Sequence, residues 1–411
     1  MTISLEQLRL SVGRDAAIRR VQKLQPVGGT GDKIFPPTYP GERTNDPPRH
    51  VFETRRFDSK NVLCVLIDSV QSQANRLEEA LKIVRNDGLA FPVITVDFSG
   101  TEVADIGHIT TLDAPHRVFD AIMRDSELKG KPLKDTDEGK VLIAAKPQNA
   151  RAVYEVSPTA LLFGAWNSTG EGGGIGAKFP RCIVSEIIGI GVATESHVDA
   201  RTGEIADSPS GKRTGSRVDP LGIRSGVAVY KLPHGDWSLD APAAKKGTTA
   251  PKALRPSEIN HSNIAPSVTQ LGVSVDYASH NFVLSFAALR RLRFADNSGA
   301  DLAAQTALAA LGLAAATAQD RNGYFLRSRC DLVPELVRSF EIVHANGQAD
   351  PIELDFAAAC RLVTEASEAA KSAGIPWKSK DVVLQPQQKL VGLVKASREL
   401  ALQGEAEAGD E

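Results

Sequence analysis

The sequence predicts an α+β fold built on an antiparallel sheet, and two stretches of the chain carry this prediction. Residues 62–67 are a short apolar, β-branched-rich run typical of a buried strand, and apolar residues then recur with helical spacing from Val70 to Val84. Further on, strand-like runs flank an Ala/Leu-rich helix at residues 300–319. The order is therefore strand, helix, strands, an interruption, then strands, helix, strand. This is the split βαβ, or ferredoxin-like, pattern, with helices on one face of the sheet.

Composition indicates a globular protein and excludes several classes. The 411 residues are 42% hydrophobic and 24% charged, with a formal net charge of −2. That charge excludes a uniformly basic nucleic-acid binder, although one groove can be basic while the mean is neutral. The four cysteines lie far apart and predict neither a zinc site nor a disulfide framework. We expect no signal region, no stretch near membrane-spanning length, no metal and no cofactor, in a cytoplasmic protein.

The first 60 residues are predicted to be an N-terminal helix followed by an irregular arm. Residues 4–21 have apolar side chains with helical spacing, and residues 25–48 are rich in Gly and Pro. Each Pro removes a donor and biases the preceding residue away from helix, so the arm is extended. Its composition is typical of a surface linker. The cations Arg55 and Arg56 precede the first predicted strand and are either solvated or in contact with phosphate.

The predicted helix after that strand begins with a polar surface. Asp68 occupies the predicted N-cap position, and Gln71 can complete a capping box. The side of the first two turns opposite the apolar stripe carries Gln71, Ser72, Asn75 and Arg76. The N-terminus of a helix favours anions, so this surface suits a phosphate.

A second helix is predicted in TLDAPHRVFDAIMRDSEL, after a strand in PVITVDF. Asp113 would cap this helix, with Val118, Phe119 and Ile122 facing inward. The polar side would present His116, Arg117 and Arg124. A histidine near carboxylates such as Asp113 and Asp120 is more often a structural residue than a catalytic one.

A glycine-rich segment, GEGGGIG, allows main-chain N–H groups to approach an anion closely. It lacks the Lys and Ser/Thr of a P-loop, and the strand-like run after it excludes a dinucleotide-binding turn. The neighbouring candidates for RNA contact are Trp166, Asn167, Ser168, Lys178 and Arg181. Trp166 would either stack on an unpaired base or fill the core.

The remaining chain divides into an insertion, further strands and a C-terminal part. Residues 195–266 are rich in Gly, Pro and basic side chains, including Lys212, Arg213 and Arg217. Residues 267–333 return to strand and helix patterns, with Arg290, Arg291 and Arg293 together at the end of a predicted strand. Residues 334–402 are predicted to be helical, and residues 403–411 to be a disordered acidic tail.

Three runs resemble a known family: DSVQSQANRLEEAL, LDAPHRVFDAIMRDS and SPTALLFGAWNSTGEGGGIGAKFPR. They are similar to CRISPR-associated RAMP proteins, and more narrowly to the backbone subunit of the type I-U (I-G) Cascade complex, over roughly residues 33–329. The resemblance implies a ferredoxin-like (RRM-like) palm. Residues 61–194 and 267–333 would form the palm, and residues 195–266 an inserted β-hairpin thumb. It also implies that the N-terminal arm is ordered against a neighbouring subunit or RNA.

The function implied by the resemblance is non-catalytic binding of crRNA. The chain would polymerise along the spacer as a helical filament with other Cascade subunits and present the guide for pairing with target DNA, away from any membrane. The candidate RNA-binding residues are Arg55, Arg56, Gln71, Ser72, Asn75, Arg76, His116, Arg117, Arg124, Trp166, Asn167, Ser168, Lys178, Arg181, Lys212, Arg213, Arg217, Arg290, Arg291 and Arg293. An alternative is a RAMP endoribonuclease that cuts target RNA with metal assistance at Asp68. A small-molecule enzyme has only the glycine-rich segment and His116 in its favour.

Overall fold

A computed structural model describes residues 3–41, 43, 46, 48–167, 178–198, 205–232, 236–241, 253–295 and 297–407. The chain is a mixed α+β protein with an antiparallel sheet, as predicted. It divides into two compact units. The first comprises Met1–Ser210 and Gly272–Gln387, and the second comprises Gly211–Leu271 and Gln388–Glu411.

The described helices and strands are numbered in chain order. The helices are α1 (Leu5–Arg14), α2 (Val70–Asn86), α3 (Ala121–Arg124), α4 (Asp137–Ile143), α5 (Arg151–Val156), α6 (Pro158–Phe163), α7 (Phe286–Leu289), α8 (Ser298–Asn322), α9 (Phe356–Ser372) and α10 (Gln388–Glu407). The first eleven strands are β1 (Ala17–Pro26), β2 (Phe52–Phe57), β3 (Lys60–Asp68), β4 (Ile94–Asp97), β5 (His108–Thr110), β6 (Ser126–Leu128), β7 (Lys131–Pro132), β8 (Ala165–Trp166), β9 (Lys178–Phe179), β10 (Ile183–Val192) and β11 (Thr194–Val198). The others are β12 (Ile205–Pro209), β13 (Arg213–Arg217), β14 (Tyr230–Lys231), β15 (Trp237–Ser238), β16 (Ile264–Thr269), β17 (Val275–Ser285), β18 (Tyr324–Arg327), β19 (Cys330–Pro334), β20 (Phe340–Val343), β21 (Ala349–Ile352) and β22 (Val382–Pro386).

A nine-stranded antiparallel sheet forms the centre of the first unit. Its strand order is β18–β19–β1–β17–β10–β3–β2, and β20 pairs with both β1 and β21. β1 pairs with β17 over most of its length, with β19 at its C-terminal end and with β20 at its N-terminal end. A separate five-stranded sheet has the order β5–β4–β22–β6–β7, in which β22 pairs parallel to β4.

Helices α2 and α8 both pack on one face of the main sheet. Gln73 of α2 receives a hydrogen bond from Ser185 of β10, and Gly312 of α8 lies against Ile183 of the same strand. Residues two apart on a strand point to the same side, so the two helices share a face.

Helix α8 is largely buried. Contrary to the sequence expectation, it is by length and composition long and apolar enough to cross a membrane. Of its most apolar window, 83% is buried inside the protein, as in the core helix of a globular fold.

The helix predicted for residues 4–21 is wrong in its second half. Helix α1 ends at Arg14, after a capping box formed by Ser4 and Gln7 at its start. The chain then enters β1, in which exposed and buried residues alternate. Two of the inward-facing side chains of this strand, Arg20 and Gln22, are polar. The apolar alternation that signals a strand is therefore incomplete in the sequence.

Two other sequence predictions are corrected. The stretch after Asp113 forms a 3₁₀ turn at Arg117–Phe119 and the short helix α3, capped by Asp120 rather than by Asp113. The C-terminal part, predicted to be helical, also contributes β20, β21 and β22. Within the N-terminal arm, Ile34 forms an antiparallel bridge to Val273 of the same chain.

The second unit contains short antiparallel ladders. β13 pairs with β16, and β14 pairs with β15. Arg217 on β13 fixes one of these ladders, because its guanidinium donates hydrogen bonds to the carbonyl oxygens of His261 (2.6 Å) and Ser262 (3.1 Å). The unit overlaps the predicted thumb interval of residues 195–266. The thumb and the other predicted domain boundaries stay predictions.

Candidate nucleic-acid interface

A short hairpin, β8–β9, presents an aromatic ring and a cation at the ends of the glycine-rich segment. Trp166 pairs in register with Lys178, and residues 168–177 between them, including the candidate Ser168, lie outside the described residues. Trp166 is 45% exposed, and the Lys178 ammonium lies 5.8 Å from the centroid of its ring. Trp166 is thus not a core residue, and an exposed ring beside a cation is an arrangement suited to stacking on an unpaired base.

A buried ion pair anchors this hairpin to helix α2. Arg117 donates hydrogen bonds of 2.6 Å from Nε and Nη2 to the two carboxylate oxygens of Glu78. Its Nη1 donates to the carbonyl oxygen of Gly164, the residue before β8, at 2.7 Å. Gly164 has a φ of +83°, and an added Cβ would lie 3.0 Å from Cγ of Arg181, so glycine is required there. Arg117 therefore holds the hairpin in place instead of facing solvent.

Arg181 adds a second guanidinium beside this pair. Burial and the positive charge of Arg117 both lower the pKa of Arg181, while Glu78 opposes the change. The Arg181 Nε is buried and has no hydrogen-bond partner among the described residues. Two guanidinium groups and one carboxylate leave a surplus positive charge at the base of the hairpin. This net positive charge attracts an anion.

Helix α2 begins one residue later than predicted, and its polar surface is only partly available. Ser69 is the N-cap, and its Oγ accepts a hydrogen bond from the Ser72 N–H. Gln71 and Asn75 are exposed, and Ser72 is half-buried. Arg76 is engaged, because its guanidinium donates to Asp68 at 2.9 Å and to the Leu326 carbonyl oxygen at 2.7 Å.

Asp68 is a buried anchor and not the predicted N-cap. Its side chain is fully buried and accepts hydrogen bonds from Gln73 (2.7 Å), Arg76 (2.9 Å) and Arg327 (3.1 Å). These donors occupy both carboxylate oxygens. Among the described residues, no group of three or more His, Cys, Asp or Glu side chains is placed to hold a metal ion. The geometry therefore gives a metal-assisted role of Asp68 no support.

Several other candidate arginines make contacts within the protein. Arg55 pairs with Glu53 and with Glu186, the latter at 2.7 Å. The Arg290 guanidinium donates to the carbonyl oxygens of Val12 and Asp15, where it closes the end of α1. Arg293 pairs with Asp301 at 3.1 Å, and Arg124 pairs with Asp125 at 2.7 Å. Arg55, Arg290 and Arg293 thus join separate parts of the chain, whereas the Arg124 pair is local to the end of α3.

The remaining candidates are exposed but lie in different places. The exposed candidates are Arg56, His116, Lys212, Arg213 and Arg291. Arg56 lies on the edge strand β2, and Arg213 lies in the second unit. Among the described residues, the structure thus brings together Arg117, Trp166, Asn167, Lys178 and Arg181. Gln71, Ser72 and Asn75 lie together at the start of α2, and the five exposed residues above are spread over several elements.

Sequence reasoning missed the acidic residue that organises this interface. Glu78 is 2% exposed and is the counter-ion of Arg117. Burial raises the pKa of Glu78, and the neighbouring guanidinium groups of Arg117 and Arg181 oppose that rise. The sequence does contain a clue to the burial of Glu78. Glu78 follows Ala74 by four residues, which places it on the apolar side of α2.

Part of the chain is similar to a known family. Residues 18–194 match the family model of CRISPR-associated protein GSU0053. The match supports a CRISPR-associated protein. It covers less than half of the 411 residues, but it includes Glu78, Arg117, the β8–β9 hairpin and Arg181. No curated protein matches the chain.

Proposed function

We propose that this chain is a non-catalytic, crRNA-binding backbone subunit of a type I-U (I-G) Cascade complex in CRISPR defence. The observation that carries the proposal is the β8–β9 hairpin. It presents an exposed Trp166 beside Lys178, and Gly164 just before it contacts Arg181, within the region that matches the CRISPR-associated family. An exposed ring next to cations suits single-stranded RNA.

The order of the central strands supports an RRM-like palm. β1, β10, β17 and β19 are the first, second, third and fourth of four strands along the chain, and they lie in the spatial order fourth, first, third, second. All three neighbouring pairs are antiparallel. Helix α2 lies in the connection before β10, and α8 lies in the connection after β17. This order supports the proposed split βαβ arrangement, in which the hairpin β2–β3 is an addition at one edge.

The proposed contacts hold the guide without reading its sequence. Trp166 stacks on a base, since every base offers a π-face, while Lys178 and Arg181 neutralise phosphates. Sequence information then comes from base pairing between the guide and target DNA, which the protein presents but does not read.

The proposal includes copies of the chain along the spacer and contacts with other Cascade subunits, in the cytoplasm. A filament that repeats one set of phosphate contacts lengthens with the spacer. The antiparallel ladders of the second unit supply β-structure for the predicted thumb. Particle size distinguishes such a filament from a monomer.

Co-expression with a matching CRISPR array tests the proposal. The protein is purified through high salt, and any RNA is extracted and sequenced. We expect spacer-containing RNA in particles much larger than a monomer, and particles that grow when the array carries longer spacers. Cells without the array provide the control. Protein that carries no RNA even when the neighbouring genes are co-expressed would contradict the proposal.

A further inference from the structure

Two adjacent aliphatic side chains project from the main sheet into solvent. Leu336 is 63% exposed and Val337 is 76% exposed, and both lie in the connection between β19 and β20. Single apolar residues on a surface are ordinary, whereas a contiguous apolar surface indicates an interaction site. We call this pair the apolar knob.

A bulge in the ladder of β1 pushes the knob outward. β19 and β20 both pair with β1, and the pairing passes from Leu24 with Pro334 to Arg19 with Glu341. The chain therefore advances five positions on β1, from 24 to 19, and seven on the opposite side, from 334 to 341. Two extra residues must leave the ladder in this interval. Such bulges redirect side chains and are common where a sheet carries a functional surface.

The backbone on both sides of the knob is fixed. The N–H of Glu335 donates a hydrogen bond to the carbonyl oxygen of Lys23 at 3.1 Å, and the N–H of Arg338 donates to Oε1 of Gln22 at 3.2 Å. A segment that is already ordered loses little conformational entropy when it binds. The knob is therefore suited to contact with a partner.

A cavity of about 440 Å³ in the same unit has an apolar wall. Phe119 in this wall is held in place, because its ring stacks on that of the buried Phe179 with the centroids 6.1 Å apart. All the lining residues come from positions 118–144 and 167, so the knob of the same copy is not part of the wall. The apolar lining consists mainly of Val118, Phe119, Leu133, Leu142 and Ile143.

Most charges around the cavity are already compensated. Arg124 pairs with Asp125 at 2.7 Å, and Lys140 pairs with Asp137 at 4.0 Å. The carboxylate of Asp120 accepts hydrogen bonds from two backbone N–H groups. The cavity thus carries no surplus charge from these groups, and it suits uncharged apolar side chains.

The other charges at the two surfaces are complementary. Lys134 and Asp135 also line the cavity, and both are exposed. The knob is flanked by exposed Glu335 and Arg338, one of each sign. A knob seated in the cavity can place Glu335 near Lys134 and Arg338 near Asp135, which favours a second copy of this chain as the partner.

We propose that the apolar knob of one copy inserts into this cavity of the next copy. The two surfaces differ, so the contact is heterologous, and its repetition builds an open filament unless the rotation closes a ring. The inference rests on the proposed function, in which copies follow one another along the spacer, and it adds a specific protein contact between them. The knob lies outside residues 18–194, so the family match does not describe this contact.

Cysteine crosslinking of the RNA-loaded complex tests the contact. The parent protein carries Cys360→Ser, because Cys360 is half-buried while the other three cysteines are buried. A short bismaleimide is added to the variant Ile143→Cys/Val337→Cys, which has one thiol on the cavity wall and one on the knob. We expect a ladder of covalent multimers. Each single variant alone should stay uncrosslinked, and the two single variants co-expressed should give covalent dimers only.

Two matched controls accompany the crosslinking. Val141 is 56% exposed on the same helix as Ile143 but does not line the cavity, so Val141→Cys/Val337→Cys should give no ladder. In sedimentation of RNA-bound protein over a dilution series, Leu336→Asp/Val337→Asp should weaken association of the copies at least about tenfold. Val27→Asp, at a 59% exposed position, should leave association unchanged.

The outcomes separate this inference from the proposed function. Large RNA-bearing particles without a ladder would overturn the knob contact and leave the proposed function intact. An equal ladder in the Val141 control would also overturn the contact, as would a covalent product with a different subunit in place of the ladder. A wild-type protein without RNA and without large particles would overturn both.

Discussion

The Arg117 guanidinium donates hydrogen bonds of 2.6 Å to both carboxylate oxygens of Glu78, and this pair is almost completely buried. The same guanidinium holds the carbonyl oxygen of Gly164. The Glu78–Arg117 contact therefore has two structural roles. It joins helix α2 to the hairpin that carries Trp166, and it neutralises one of the two arginines there. Arg181 is left as the surplus cation.

The Glu78–Arg117 pair is expected to stabilise the fold strongly against single replacement. Glu78→Gln leaves a buried guanidinium without its counter-ion, and we expect it to lower the free energy of unfolding by about 3–5 kcal/mol. Urea denaturation of Glu78→Gln and of the wild type measures this loss of stability. The control is Lys371→Ala, which removes an exposed lysine paired with Glu368 and should change stability by less than about 0.5 kcal/mol. Equal midpoints for Glu78→Gln and the control would contradict the prediction.

Arg181 is expected to contribute to RNA binding through charge. Arg181→Ala should weaken binding equally for RNAs of unrelated sequence, and the slope of log affinity against log salt should become shallower by about 1. Titrations of single-stranded RNA at several salt concentrations measure the slope. Arg181→Lys, which retains the charge, should keep most of the slope. An unchanged slope in Arg181→Ala would show that this cation does not meet a phosphate.

Trp166 is expected to contribute through stacking, which salt does not screen. Trp166→Ala should cost about 1–3 kcal/mol of binding free energy, with the salt slope unchanged. Trp166→Phe keeps an aromatic face and should recover part of the loss. The same titrations compare the three proteins. A parallel loss in the alanine and phenylalanine variants would argue against stacking.

Arg76 is expected to affect stability more than RNA binding. Its loss removes one of the donors to the buried Asp68, although Arg327 and Gln73 remain. We expect Arg76→Ala to lower the free energy of unfolding by about 1–3 kcal/mol. Asn75→Ala, at an exposed neighbouring position, is the matched control. The prediction fails if thermal melting shows equal stability for the two variants.

His344 should make stability depend on pH. Its Nδ1 and Nε2 lie 2.9 Å and 3.0 Å from carboxylate oxygens of Asp15 and Asp350, and these hydrogen bonds raise the pKa of His344 above its ordinary value of 6.5. Because the folded-state pKa is the higher one, this contribution is complete below pH 6.5 and is lost as the pH rises through the raised value. Unfolding midpoints of the wild type and His344→Gln across this range should converge at high pH. A constant difference would contradict the assignment.

The sequence predicted those elements whose patterns are local. The apolar run of β3 and the stripe of α2 are visible without any partner, and both form as expected. β1 escaped detection because its inward-facing Arg20 is satisfied by Asp320, which lies 300 residues away along the chain. A buried cation on a strand looks like a surface residue until its counter-ion is known.

The same limit applies to the candidate site. Residue type predicted that arginines would contact phosphate, but Arg55, Arg117 and Arg290 each have partners from distant parts of the chain. Trp166 and Lys178 were recognised from the motif around the glycine-rich segment, and the register of the hairpin places them side by side. The local sequence motif identified the segment. Only the ion pairs and hydrogen bonds in the folded protein distinguish the arginines that anchor the fold from Arg181, whose charge is in surplus.

The most direct test of the central claim is the RNA-to-protein ratio of the complex purified from cells with a CRISPR array. The comparison is between the wild type and the variant Trp166→Ala/Lys178→Ala, with Lys371→Ala as the control. We expect the hairpin variant to stay folded and to carry markedly less spacer RNA per protein, while the control matches the wild type. Equal RNA content in all three folded proteins would contradict the claim that this hairpin holds the guide.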